Sequence, residues 1–164
     1  VEGLNVGDLC APDAALFLWT TWPMILDALG LMVEWGFSYK TVGFVWVKQS
    51  STGRKMHWGM GNWTRANSEV CLLGVRGKIR RVDKGVHQIV EAPVTKHSQK
   101  PAEVREKIAT LMGDVLGIEM FARGTAPGWD CWGLDVNAGL TIERWSPEVG
   151  DRNDGKHGRD GTHG

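Results

Sequence analysis

The chain of 164 residues is about one domain long, enough to bury a sizeable core. At 42% hydrophobic and 23% charged residues, it has the composition of an ordinary soluble globular protein. Nineteen basic residues balance nineteen acidic ones, which excludes a global attraction to polyanions, so any nucleic-acid contact must come from a local patch.

Nine tryptophans beside one tyrosine is a strong bias toward indole, suited to a core with some stacking surfaces. The cysteines Cys10, Cys71 and Cys131 are far apart, odd in number and without a CxxC pair. They point to a reducing, cytoplasmic setting rather than a disulfide framework. They have no ligand spacing with His57, His87 or His97, so no metal is expected.

In chain order, Ala15–Thr20 (ALFLWT) is a continuous apolar run of strand length, the pattern of a strand buried on both faces. Pro23 suits the first turn of a helix, in which Ile25, Leu26, Leu29, Met32 and Val33 recur at helical spacing, and Gly36 ends it. Thr20, Thr21, Pro23, Asp27 and Glu34 interrupt this region too often for a membrane span. Thr41–Lys48 (TVGFVWVK) and Glu69–Val75 (EVCLLGV) read as strands rich in valine and aromatics. The polar segment between them, about twenty residues long, exceeds a mere connection.

His87–Val94 is a further short strand candidate. From Pro101 the spacing of Val104, Ile108, Leu111, Met112 and Val115 predicts a helix with one apolar face. Strands at Ile118–Ala122 and near Trp132–Val136 follow. Strands separated by helices predict an α/β fold with a mostly parallel sheet. The segment 144–164, rich in glycine and mixed charge, is expected to be disordered.

Three features could carry chemistry. Pro101 at the first helical position puts Lys100 at the cap, where a lysine opposes the helix dipole. It reads either as a solvated lysine or as a holder of an anionic group. Glu119 and Arg123, at a strand end, read either as an ion pair or as a ligand site, because ligands of open α/β sheets bind at the carboxyl ends of strands. The loop GMGNWTRANSE offers Trp63 as a platform, Arg65 for a phosphate and Glu69 as a polar reader. Just beyond it lie Arg76, Lys78, Arg80, Arg81 and Lys84, either a solvated face or a nucleic-acid patch.

These features occur together, in this order, in one family. The segments LFLWTT, WGFSYKTVGFVWVK, GMGNWTRANSEVCLLGVRGK, HSQKPAEVREKI and IEMFARGTAPGWDCWG span most of Leu4 to Val136. In them the chain resembles the MT-A family of adenine-N6 methyltransferases, which act on messenger RNA and, in prokaryotic and phage relatives, on DNA. The resemblance implies a Rossmann-like methyltransferase domain over residues 1–143 with a permuted motif order, the catalytic strand preceding the cofactor-binding strand. It also implies S-adenosylmethionine as cofactor. Lys100 would contact the cofactor's carboxylate, Glu119 its ribose hydroxyls and Arg123 the turn around it, while Phe121 would pack beneath the strand. Asp135, after Leu134, would bind a hydroxyl. Asn62, Trp63, Arg65, Glu69, His97 and Ser98 would lie on the substrate side, Glu69 contacting the target adenine. Trp129 and Trp132 would pack the turn.

The family's catalytic Asp-Pro-Pro-Trp is absent from the 164 residues. The expectation is therefore an N-terminally incomplete domain, inactive alone, from an enzyme that methylates adenine N6 in nucleic acid, DNA being favoured over RNA. The alternative is a non-catalytic methyltransferase-like subunit that binds nucleic acid or a catalytic partner.

Overall fold

The computed structural model describes residues 6–61, 63–95, 99–133 and 136. After a short helix α1 (Val6–Leu9), the chain forms strand β1 (Ala14–Thr20), a 3-10 turn (Trp22–Met24) and helix α2 (Ile25–Glu34). Strands β2 (Ser38–Gln49), β3 (Ser68–Arg76) and β4 (Ile89–Pro93) follow, then helix α3 (Glu103–Met112) and strands β5 (Ile118–Met120) and β6 (Asp130–Trp132). No helix among the described residues is long and apolar enough to cross a membrane.

The main sheet has the order β1-β3-β2-β4. β3 runs antiparallel to both β1 and β2, and β4 runs parallel to β2. β1, β2 and β4 therefore share one direction, but only one neighbouring pair is parallel, so the sheet is mixed rather than mostly parallel. The reason is the connection. Between β2 and β3 there is a long loop and no crossover helix, so the chain turns back as a hairpin. Separately, β5 and β6 pair in parallel as a two-stranded sheet.

β3 is the buried centre: Val70, Cys71 and Leu72 are fully enclosed. Its pleat sends alternate residues to opposite faces. Val70 and Leu72 join Ala28, Met32, Trp35 and Phe37 beneath α2, whereas Cys71 joins Phe44, Val90 and Val104 beneath α3. Gly74 lies on the α2 side, where a Cβ would meet the Met32 sulfur at 2.6 Å. β1, expected to be buried on both faces, is an edge strand whose seven residues are all only partly buried. A continuous apolar run does not tell a central strand from an edge strand, because pairing decides it.

The helices also depart from the apolar spacing. On α2, Ala28 and Met32, one turn apart, face the sheet, but Leu26 is 78% exposed and Val33 is also exposed. On α3, Val104 and Met112 are buried; Gly113, with φ of 77°, stops the helix, so Val115 falls beyond it and is exposed. The strands expected at Ile118–Ala122 and Trp132–Val136 are the shorter β5 and β6. Gly117 lets β5 begin close under Trp129, since a Cβ there would sit 2.9 Å from the indole. Residues 144–164 lie outside the described residues.

Candidate functional site

The carboxyl ends of β1, β2 and β4 meet the amino end of β3 at one end of the main sheet. Glu69, the second residue of β3, is in register with Trp46 of β2. Trp19 packs with the cluster on the α3 face, as does Phe44, two residues before Trp46. Trp46 is tied to β4 by its indole N–H, which donates to the Ala92 carbonyl at 2.9 Å.

Glu69 is the centre of this end. Its Oε1 accepts from Lys48 Nζ at 2.6 Å and its Oε2 from Lys100 Nζ at 2.5 Å. The carboxylate is only 13% exposed. Burial pushes its pKa up, but the hydrogen bonds and charges of Lys100 and Lys48 outweigh that and hold it below the usual glutamate value. Each ammonium also lies over an indole: Lys48 is 5.2 Å from the Trp46 ring centroid and Lys100 is 5.7 Å from that of Trp19. Two cations sharing one anion leave a net positive charge able to receive a further anionic group. Neighbouring Cys71 is pushed up to about 12 by burial, partly offset by Lys100, and so stays a neutral thiol.

Sequence reasoning overlooked Lys48 as a member of this group. The available signal was its parity: Phe44, Trp46 and Lys48 alternate along β2, so a strand with Phe44 and Trp46 inward directs Lys48 the same way. Lys100 itself corrects the cap argument. α3 begins at Glu103 with Ala102 as its cap residue, so Lys100 lies two positions earlier and reaches Glu69 instead of opposing the helix dipole at the cap.

Glu119, in the middle of β5, is paired across space with α3. Arg105 Nε donates to Glu119 Oε2 at 2.5 Å, with Nη2 3.5 Å from Oε1. The ion-pair reading had paired Glu119 with Arg123, four residues on. Arg105 carried no local signal, because only the packing of α3 beside β5 brings the two together. Phe121 does not lie beneath the strand. It has φ of 60°, is 52% exposed, and meets Trp132 edge-on with centroids 5.4 Å apart. β5 ends at Met120, and the left-handed backbone at Phe121 turns its ring outward.

The loop between β2 and β3 displays Met56, Trp58, Met60 and Trp63, the last 99% exposed. Arg65 Nη1 donates to Met60 Sδ at 3.2 Å on the same rim. At the base of the loop, Trp22 Nε1 donates to Ser68 Oγ at 2.9 Å, next to Glu69. Trp63 and Arg65 are thus exposed on the loop that leads into β3. Asn62, His97, Ser98 and Asp135 lie outside the described residues.

The basic cluster is not beside this loop. The nine residues of β3 separate Ser68 from Arg76 by roughly 26 Å at ~3.3 Å per residue. Arg76 is also occupied structurally. Its guanidinium donates to the carbonyls of Gly7 at 2.9 Å, Cys10 at 2.6 Å and Ala11 at 3.0 Å, and lies 5.6 Å from the Phe37 ring centroid. Lys78, Arg80, Arg81 and Lys84 are exposed at that far end.

Comparison with known proteins bears on this arrangement. A model of the MT-A70 family matches residues 1–135. The type II methyltransferase M.MunI of Mycoplasma sp is 36% identical over 138 residues, covering 83% of this chain and 56% of that protein. The N(6)-adenosine-methyltransferase catalytic subunit METTL3 of Homo sapiens is 30% identical over 141 residues, covering 84% of this chain and 24% of that protein. The N6-methyladenosine RNA methyltransferase MTA1 of Cryphonectria parasitica is 27% identical over 145 residues, covering 82% and 41%. The chain thus spans about half of the first of these relatives and a quarter of the second.

Proposed function

Because the chain belongs to the MT-A70 family, we propose that it forms the cofactor- and adenine-recognising part of an S-adenosylmethionine-dependent adenine-N6 methyltransferase acting on DNA. One observation carries this reading. Lys100, assigned to the cofactor side, and Glu69, assigned to the adenine side, are in contact at 2.5 Å across 31 positions of sequence. A methyl transfer needs its two reactants side by side, and these two recognition groups are adjacent.

The donors present suit the cofactor. Lys100 offers a cation for an amino-acid carboxylate. Glu119 spends part of its acceptor capacity on Arg105, and a carboxylate with about four lone-pair sites keeps room for ribose hydroxyls. When bound, S-adenosylmethionine would supply a methyl group from a positively charged sulfur to adenine N6, the C–S bond breaking as the N6–C bond forms and an N6 proton passing to water. Glu69 would accept a hydrogen bond from the exocyclic amine and hold it in place. The target base must leave its stack to reach the sheet end. Trp63 and Arg65, exposed on the loop before β3, meet the neighbouring bases and phosphates. Arg123, Phe121 and Asp135 are assigned to the cofactor, and Asn62, His97 and Ser98 to the nucleic-acid substrate. The order in the chain, with substrate-side strands before β5, fits a permuted Rossmann-like domain.

Calorimetric titration with S-adenosylmethionine and S-adenosylhomocysteine tests this reading, together with fluorescence anisotropy of adenine-containing DNA and RNA oligonucleotides. Binding of the cofactor, with DNA held more tightly than RNA, is expected. A folded chain that binds neither cofactor form overturns it.

A further inference from the structure

Glu69 has two lysine partners where one would neutralise it, and the second has no role in the reading above. The two are held differently. Lys48 projects from the regular strand β2, over Trp46, and is 23% exposed; Lys100 comes from the segment before α3, over Trp19, and is 29% exposed. They take different oxygens of the carboxylate, so either can leave without displacing the other.

Resting on the assignment of Lys100 to the cofactor carboxylate, we infer that Lys48 is a positioning residue that keeps Glu69 ionised and oriented when Lys100 turns to the ligand. With Lys48 in place, an incoming carboxylate draws Lys100 away, and each anion retains one cation. Without it, two carboxylates share one ammonium in a half-buried site, and Glu69 takes up a proton to relieve the repulsion. A protonated Glu69 presents a hydroxyl donor on one oxygen and no longer serves as a full acceptor for an amine. Lys48 thereby protects the acceptor state that recognition of the adenine amine requires.

The described charged groups that meet Glu69 are Lys48 from β2 and Lys100 from the segment before α3. From the other elements come uncharged neighbours: Trp19 of β1, Trp22 of the 3-10 turn through Ser68, and the neutral thiol of Cys71 on β3.

The test is calorimetry of the full 164-residue chain with S-adenosylmethionine between pH 6 and 8, in buffers of different ionisation enthalpy. The wild type is expected to bind without proton uptake. Lys48→Met is expected to bind roughly tenfold more weakly at pH 8, the effect of about one charged hydrogen bond, to recover affinity toward pH 6, and to take up a proton. Lys48→Arg restores wild-type behaviour, and Lys48→Met with Glu69→Gln removes the uptake. A folded Lys48→Met chain with wild-type affinity and no proton uptake overturns the inference while leaving the cofactor reading intact. A wild type that does not bind, or binds unchanged after Lys100→Ala, overturns both.

Discussion

Arg105, in the first turn of α3, donates to Glu119 in the middle of β5 at 2.5 Å, joining the helix that follows Lys100 to the strand assigned to the ribose. Two residues far apart in role are thus mounted on one rigid element, Lys100 just before α3 and Glu119 clasped to it. Both side chains are partly exposed, so Arg105→Ala should cost only ~0.5–1 kcal/mol of stability. It should weaken S-adenosylmethionine binding several-fold, because Glu119 loses its orientation. A double-mutant cycle with Glu119→Ala, read by calorimetry, should show a coupling energy clearly above zero; additive losses would remove Arg105 from the site.

Lys100→Ala should weaken S-adenosylmethionine binding by roughly 1.5–3 kcal/mol, the loss of a charged hydrogen bond. Calorimetry on a variant whose circular dichroism matches the wild type decides this. Unchanged affinity would leave Lys100 as a structural partner of Glu69 alone.

Glu69 should give the fold an acid-sensitive component. Its pKa in the folded state is held low by Lys100 and Lys48 against the opposing effect of burial. A depressed folded value means that the stabilisation is fully present above the unfolded glutamate value of about 4.3 and is lost as pH falls through the lower folded value. Denaturant unfolding at pH 7 and at pH 3 should therefore show a smaller difference for Glu69→Gln than for the wild type. At pH 7 the same variant should lose about 2 kcal/mol, having left two lysines without their anion.

Gly117→Ala should destabilise the chain by roughly 1–3 kcal/mol, because the added methyl meets the Trp129 indole where no space exists. The displacement falls two residues before Glu119, so cofactor affinity should fall with it. Urea titration followed by tryptophan fluorescence measures the first effect and calorimetry the second.

Trp63→Ala should leave the melting temperature unchanged, since the indole is 99% exposed. It should weaken binding of single-stranded adenine-containing DNA by roughly 1–3 kcal/mol if a base stacks there. Anisotropy titrations at fixed salt check this; equal affinity would assign the loop a different role.

By itself the sequence determined most of the elements and the order in which Glu69, Lys100 and Glu119 follow one another. The valine- and aromatic-rich runs of β2 and β3, the helical spacing of Val104, Ile108 and Met112, and the stop at Gly36 are local signals. Each is written within one or two turns of chain. The motifs around Glu69, Lys100 and Glu119 were legible for the same reason. The tertiary structure alone decided which strand is central, because ALFLWT and EVCLL look equally apolar and only pairing makes β1 the edge. It also decided the partners. Glu69 meets Lys48 across 21 positions and Lys100 across 31, and Glu119 meets Arg105 through the packing of a helix against a strand. Ion pairs are satisfied through space, and no spacing along a chain records where an antiparallel register will bring two side chains together.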